Sequence, residues 1–159
     1  MNTDIVLGLA RVRDSRRLAE MSRDLIEQGL RWSWTPTRIH QKIRCPDNIV
    51  LTARVDNVIA GFAIMYVGMD EARLNLLAVD PGYRRKGIGR RLVEWLEQSA
   101  LVAGVSVVYL EVRAGSLGAQ KFYERLGYVR VQRVRGYYAG LEPALRMARD
   151  LWCESSNKV

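Results

Sequence analysis

An apolar run over residues 74–79, LNLLAV, leads straight into Asp80-Pro81-Gly82-Tyr83-Arg84-Arg85-Lys86-Gly87-Ile88-Gly89-Arg90-Arg91, and a helix-patterned segment follows over residues 88–103. A strand, a basic glycine turn and a helix N-terminus in direct succession leave little choice of local structure. Glycines permit a turn conformation closed to other residues and let backbone N–H groups approach a ligand. The helix N-terminus adds unpaired donors and the positive end of the helix dipole, and arginines add charge-assisted hydrogen bonds. The unit predicts an α/β chain that cradles an anion, most simply a phosphate-bearing ligand, at the end of that strand. Two familiar phosphate loops do not fit. A dinucleotide-binding fingerprint needs a third glycine where Leu92 stands, and a P-loop needs Gly-Lys-Ser/Thr where Gly89-Arg90-Arg91 stands.

The remaining pattern predicts one mixed domain over residues 1–159. Strands are read at 5–10, 49–55, 58–67, 74–79, 105–112, 129–134 and 144–151, and helices at about 15–28, 36–45, 88–103 and 116–126. Asp14 or Ser15 is placed to cap the first helix, Thr35-Pro36 opens the second, and Asp56-Asn57 reads as a two-residue hairpin. On the third helix Ile88, Leu92, Trp95, Leu96 and Ala103 are expected to face inward. The order gives an α/β (α+β) architecture, helices on a largely antiparallel sheet. The 159 residues suffice for a full core, and no apolar run nears the ~18 residues of a membrane span. The start of the chain lacks the pattern of a signal peptide, and Cys45 and Cys153 are two cysteines far apart, so the expectation is a cytoplasmic protein with no metal site and no membrane partner. The net charge of +8 suits anionic ligands. No nucleic-acid motif accompanies it, so nucleic acid is not expected as the main partner.

Arg84-x-x-Gly87-x-Gly89 resembles the Arg/Gln-x-x-Gly-x-Gly/Ala signature of the GNAT N-acetyltransferases. Three further stretches are similar to the later motifs of the bacterial ribosomal-protein alanine N-acetyltransferases within that family: Leu110-Glu111-Val112-Arg113, Phe122-Tyr123-Glu124-Arg125-Leu126-Gly127-Tyr128, and Arg135-Gly136-Tyr137-Tyr138. The likeness runs over about residues 49–151. It implies the GNAT fold, a central mixed, mostly antiparallel sheet of six to seven strands flanked by about four helices. It also implies acetyl-coenzyme A as cofactor and a primary amine as acceptor, either a protein N-terminus or a small molecule such as an amino acid, polyamine or drug. A non-catalytic coenzyme A-binding module is the alternative to an enzyme. A monomer or a homodimer is compatible with the family.

The resemblance assigns the pyrophosphate to Arg84, Arg85, Lys86, Gly87, Ile88, Gly89 and Arg90, and the extended pantetheine arm to the backbone of Leu77, Ala78 and Val79, in the manner of an added strand. Ser116 and Phe122 join the cofactor-binding set; relatives often carry Asn where Ser116 stands, and Ser116 can instead cap the helix. Glu111 is implied as general base, acting through water; the other reading is a strand carboxylate paired with a cross-strand arginine. Tyr123 is implied as the general acid for the leaving thiolate; the other reading is a core tyrosine. Gly136 stands where the alanine-acetylating relatives tend to have Asn.

Trp32, Trp34, Tyr137 and Tyr138 are candidates for the acceptor site. For the tryptophans, the competing role is a hydrophobic staple on the helix capped at Thr35. His40, the single histidine, reads as a surface residue. At neutral pH, deprotonating a lysine (pKa about 10.4) costs about 4.6 kcal/mol, whereas an α-amine near 7.8 costs about 1.1 kcal/mol. One modest base such as Glu111 suits the second, which favours α-amines or small amines of low pKa over lysine.

Overall fold

The computed structural model describes residues 4–138 and 142–156, without the side chains of Tyr138 and residues 154–156. Seven strands, β1 (Ile5–Leu9), β2 (Asn48–Val55), β3 (Val58–Val67), β4 (Ala72–Val79), β5 (Val107–Arg113), β6 (Val129–Tyr138) and β7 (Glu142–Asp150), form one sheet in the order β1-β2-β3-β4-β5-β7-β6. Every neighbouring pair is antiparallel except β4 and β5. Helices α1 (Ser15–Leu25), α2 (Pro36–Arg44), α3 (Ile88–Val102), α4 (Leu117–Arg125) and the short α5 (Leu151–Ser156) complete the fold. This is the mixed, mostly antiparallel architecture expected from the sequence.

Two apolar clusters lie on opposite faces of the sheet. One gathers Leu92, Val93, Leu96 and Ala100 of α3 with Tyr123 of α4, Leu126 just past its end, and the β-strand residues Leu51, Met65, Leu74 and Leu110. The other joins Leu18 and Met21 of α1 and Ile39 of α2 to Phe62, Ile64, Leu76 and Ala78. Leu74 and Leu76, two apart on β4, therefore belong to different faces. In a regular strand they would share one. The reason is a bulge: Ile64 pairs with Leu76, but Met65 pairs with Leu74, so Asn75 is an extra residue in β4.

That bulge marks where the sheet opens. The parallel pairing of β4 with β5 covers only Ala72–Val108, Arg73–Tyr109 and Leu74–Leu110. Beyond it β4 remains bound to β3 as far as Gly61–Val79, and β5 remains bound to β7. Gly61 is required there by space, since a Cβ would stand 2.9 Å from the Ala78 carbonyl oxygen.

The Asp56-Asn57 hairpin forms as expected, with φ of 50° and 64° at the two residues. Other expectations shift. Helix α1 stops at Leu25 rather than near residue 28, because the N–H groups of Ile26 and Glu27 both reach the Ser22 carbonyl and tighten the chain into a turn. β6 runs on to Tyr138 through an irregularity at Gly136, whose φ is 61°. Residues 151–156 form α5 instead of extending the last strand. On α3, Trp95 is 39% exposed and Ala103 lies at the surface, whereas Glu97 is buried. The inward stripe is rotated because Glu97 finds partners inside: it accepts from the Tyr128 hydroxyl at 3.0 Å and from Arg149 Nη1 at 2.9 Å. Burial raises the Glu97 carboxyl above its usual range despite both partners, and burial together with Glu97 raises the Tyr128 phenol.

Asp14 stands at the N-cap position of α1, but its side chain makes no capping bond to that helix. Its carboxylate instead accepts from the Arg11 N–H at 2.8 Å and from Arg54 Nη2 at 2.7 Å, tying the β1–α1 junction to β2. Burial alone would raise its pKa; the hydrogen bonds from Arg54 and Arg11 outweigh that and hold the carboxyl below the usual value. A depressed native pKa stabilises the fold above the unfolded value near 3.9 and stops doing so as pH falls through the native value. Asp14→Asn should therefore cost about 1–2 kcal/mol at neutral pH. The gap between wild type and variant should close on acidification below about pH 4, measured by urea melts across pH.

Candidate active site

The loop from β4 to α3 is held at its start by Asp80. Its N–H donates to the Ala60 carbonyl at 2.8 Å, one carboxylate oxygen accepts from the Gly82 N–H at 3.0 Å, and the other lies 3.5 Å from Arg17. Arg85 and Gly87 both take left-handed backbone conformations, φ 64° and 75°. Gly87 is the N-cap of α3 and provides no side-chain cap, so the first N–H groups of α3 have no side-chain acceptor from the cap residue. Gly89 is held close to α4, where a Cβ would meet Phe122 Cζ at 3.2 Å. Arg84, Arg85, Lys86 and Arg90 are exposed; Arg84 Nε reaches the Val79 carbonyl at 3.4 Å, Lys86 stands over the Tyr83 ring at 5.6 Å, and Arg90 pairs with Glu94 at 2.7 Å. Ile88 is 1% exposed and packs in the core, so only its backbone faces a ligand. The loop thus has the cationic side chains and helix-terminal donors of an anion site.

Beside it, the gap between β4 and β5 is a cavity of about 500 Å³ lined by Leu77, Asn75, Glu111, Ser116, Ala119 and Tyr123, among others. Leu77 lines it directly, while Ala78 turns to the α1–α2 face. Ser116 occupies the N-cap position of α4 without the side-chain capping bond that its residue type suggested. The turn into α4 is held instead by buried Gln120, whose Nε2 donates to the Arg113 and Ala114 carbonyls at 3.4 and 2.8 Å. Tyr123 is 8% exposed, with its ring edge-on to Phe122 at 5.0 Å and to Tyr128 at 5.6 Å. It is therefore both a core side chain and a wall of the cavity.

A second cavity of about 540 Å³ opens from the α1–α2 side, lined by Glu27, Arg31, Trp32, Ser33, Trp34, Arg38, Glu111 and Tyr137, among others. Ile26, Asn75, Leu76 and Glu111 line both cavities, so the two meet at the β4 bulge. A further groove between β1 and α3, with Leu7 and Trp95 on its walls, contains neither Glu111 nor Tyr123.

Glu111 is the first β5 residue past the last β4–β5 pair, and its side chain is 5% exposed. Its Oε1 accepts from Arg73 Nη1 of β4 at 2.7 Å and from Arg146 Nε of β7 at 3.0 Å. Arg146 is its direct cross-strand partner, as the ion-pair reading of the sequence anticipated; Arg73 lies two registers away, opposite Tyr109. Tyr137 joins this group. Burial and the Glu111 carboxylate raise its phenol, with Arg73 and Arg146 opposing. Trp32 and Trp34 are half-buried against the α1–α2 cluster and also line the second cavity. Trp32 Nε1 donates to the Ala19 carbonyl at 3.2 Å, and the Arg38 guanidinium stacks over Trp34 at 3.7 Å. The staple and cleft readings are thus compatible. Tyr138 ends β6, and its side chain lies outside the described residues. His40 lies on α2 away from both cavities, and no group of metal-binding side chains forms among the described residues.

Four contributors escaped the sequence reading. Arg73 and Arg146 are ordinary strand arginines until the register sets them around Glu111. Asn75 is marked only by the bulge. Buried Glu27 accepts from the Ser22 and Ser33 hydroxyls at 2.8 and 2.7 Å and from the Ser33 and Trp34 N–H groups at 2.8 and 3.3 Å, fixing the segment that carries the tryptophans. Glu111→Ala would remove the carboxylate that Arg73 and Arg146 share at the opening of the sheet. With the arginines 35% and 27% exposed, the cost should be about 1–2 kcal/mol in a chemical-denaturation series, and Glu111→Gln should cost less.

Known proteins resemble this chain over most of its length. The family model described as Acetyltransferase (GNAT) family matches residues 18–128. A [Ribosomal protein bS18]-alanine N-acetyltransferase of Salmonella typhimurium is 43% identical over 104 residues, 64% of this chain and 69% of that protein. The N-alpha-acetyltransferase RimI of Mycobacterium tuberculosis is 32% identical over 152 residues, 92% of each. Among solved structures, the ribosomal-protein-S18-alanine N-acetyltransferase of Escherichia coli superposes with a TM-score of 0.80 at 29% identity, covering 93% of this chain and 94% of that one. A glycine-turned anion loop beside a sheet that opens at a β4 bulge, and a family match over most of the chain, lead to one conclusion: this protein belongs to the GNAT acetyltransferase family.

Proposed function

We propose that this N-acetyltransferase acts on the α-amine of a protein N-terminus, with Glu111 as general base and Tyr123 as general acid. The observation that carries the reading is the meeting of two cavities at Glu111, one bordered by Leu77, Ser116 and Tyr123, the other by Trp32, Trp34 and Tyr137. Two reactants approaching from opposite faces of a sheet need such a shared wall. The relatives named as N-terminal acetyltransferases support a protein N-terminus as acceptor.

The residues present fit acetyl-coenzyme A, which supplies an activated acetyl thioester. Arg84, Arg85, Lys86 and Arg90, with the backbone N–H groups of Gly87, Ile88 and Gly89, would hold its pyrophosphate. The β4 backbone from Leu77 to Val79 has no β5 partner and offers N–H and C=O groups to an extended arm, as a sheet edge does to an added strand. Gly89 lets α3 approach Phe122, which sets that ring against the start of the helix beside the loop.

An attacking amine must lose a proton, and a leaving thiolate must gain one. Glu111, held by two arginines at Oε1, takes the amine proton through a water in the shared wall. An α-amine is partly neutral near pH 7 and asks less of a single base than a lysine does. The Tyr123 hydroxyl, on the wall of the other cavity, holds the proton for the thiolate; a phenol near pKa 10 is matched to a thiol near 8.5. In this arrangement Arg73 and Arg146 are positioning residues, since they orient the carboxylate.

The test is thiol release from acetyl-coenzyme A with peptides whose N-termini are free or blocked. Release should occur with free α-amines, persist when lysines are blocked, and vanish when the N-terminus is blocked; release only with small amines would overturn the N-terminal reading. Tyr123→Phe and Glu111→Gln should each lower kcat by roughly 100-fold, with KM for acetyl-coenzyme A little changed. Unchanged turnover would remove the substituted residue from the mechanism.

A further inference from the structure

We infer that Arg113 is a positioning residue for acetyl transfer: a strap across the opened sheet that ties the end of α1 to β5 and so sets the passage in which the two reactants meet. This deepens the reading above, since it rests on a meeting point at Glu111. Arg113 ends β5, two residues after Glu111, and shares its face of the strand. The β4–β5 pairing has already stopped at Leu74–Leu110, so the strands are apart at this level. The Arg113 guanidinium crosses the gap. Its Nη2 donates to the Ile26 carbonyl at 3.0 Å, and its Nε lies 3.7 Å from a Glu142 carboxylate oxygen at the start of β7. Next to it, the Ala114 N–H donates to the Pro143 carbonyl at 3.0 Å.

The Ile26 carbonyl is a suitable anchor. Ile26 is the C-cap of α1, where the last carbonyls lack donors from their own helix and the helix dipole is negative. An arginine from another element supplies both a donor and a positive charge there. The Glu142 contact is longer, and that side chain is 35% exposed, so it contributes less than the bond to Ile26.

The strap sits where the two cavities join. Ile26 lines both, and Arg113 and Glu142 line the one between β4 and β5. Ile26 also leads directly into Glu27, whose carboxylate holds the 33–34 segment, so a shift at Ile26 is passed to the wall that carries Trp32 and Trp34. A displacement of about 1 Å between reacting groups can lower a rate about 100-fold. A loosened passage also admits water. Water that reaches the thioester attacks its carbonyl carbon, the C–S bond breaks, and acetate and the free thiol leave with no amine acetylated.

The experiment compares wild type with Arg113→Met, which keeps the apolar stem and removes the donors, Arg113→Lys, which restores one cationic donor, and Glu142→Gln. Thiol release and acetylated product are measured in parallel, with acetyl-coenzyme A alone and with two acceptors, a lysine-free peptide beginning with alanine and spermidine. With whichever acceptor wild type turns over, Arg113→Met should lower kcat roughly tenfold and raise the acceptor KM. KM for acetyl-coenzyme A should stay within about twofold, because the anion loop is untouched. The share of thiol released without acetylated product should rise. Arg113→Lys should recover part of each loss, and Glu142→Gln should change each quantity by less than about twofold. Melting temperatures verify that the variants are folded. A merely structural role lowers the active fraction, so transfer and hydrolysis fall together while both KM values hold; that result, or wild-type kinetics in Arg113→Met, overturns the inference. Glu142→Gln as damaging as Arg113→Met overturns the assignment to the Ile26 carbonyl. Transfer to spermidine and not to the peptide overturns the N-terminal reading, while the variants still decide the strap with spermidine. Silence with both acceptors overturns the meeting point at Glu111 and the strap with it.

Discussion

The structure depends on one short parallel contact. β4 and β5 pair over only three residues, Ala72 to Leu74 against Val108 to Leu110, and then part. A full ladder would have sealed the sheet and left no place for a reaction. No pairing at all would have left two half-sheets free to drift. The Asn75 bulge reconciles the two needs. It turns β4 so that Leu76 and Ala78 support α1 and α2, while Leu77 and Val79 turn to the α3 side. The hydrophobic term thus pins both faces of a strand whose β5 edge stays open.

An opening in a sheet exposes backbone donors and acceptors and needs electrostatic reinforcement. The Arg73–Glu111–Arg146 group supplies it, joining β4, β5 and β7 at the point where the strands part. The same carboxylate is the proposed base. The two roles agree physically: paired guanidiniums keep the carboxylate oriented. On the α4 side, Tyr123 has a comparable double duty, held edge-on to Phe122 and Tyr128 while lining the cavity. Behind it, Tyr128, Glu97 and Arg149 form a buried polar link between α3 and β7 that steadies the helix whose N-terminus carries the anion loop.

The α1–α2 side of the sheet is built differently. Helix α1 ends early, and the chain between α1 and α2 is organised by one buried carboxylate, Glu27, which gathers donors from Ser22, Ser33 and Trp34. That fixes Trp32 and Trp34 as both packing residues and cavity walls.

Much of this was legible in the chain alone, for local reasons. The anion loop could be read because glycine spacing, basic residues and the flanking strand and helix are contiguous, and the same holds for the 56–57 hairpin and the Thr35-Pro36 helix start. Tyr123 and Glu111 could be named as candidates because their neighbours form recognisable strings. Residues far apart in sequence required the tertiary structure. Strand register alone set Arg146 and Arg73 around Glu111, and a bulge worth one residue decided which face each half of β4 presents. Trp95 was misassigned and Glu97 overlooked on α3, because a buried carboxylate is stable only with partners such as Tyr128 and Arg149, which lie 31 and 52 residues away. Local chemistry determined what each segment can form; long-range pairing, where burial and hydrogen bonds are settled together, decided which of those segments make the site.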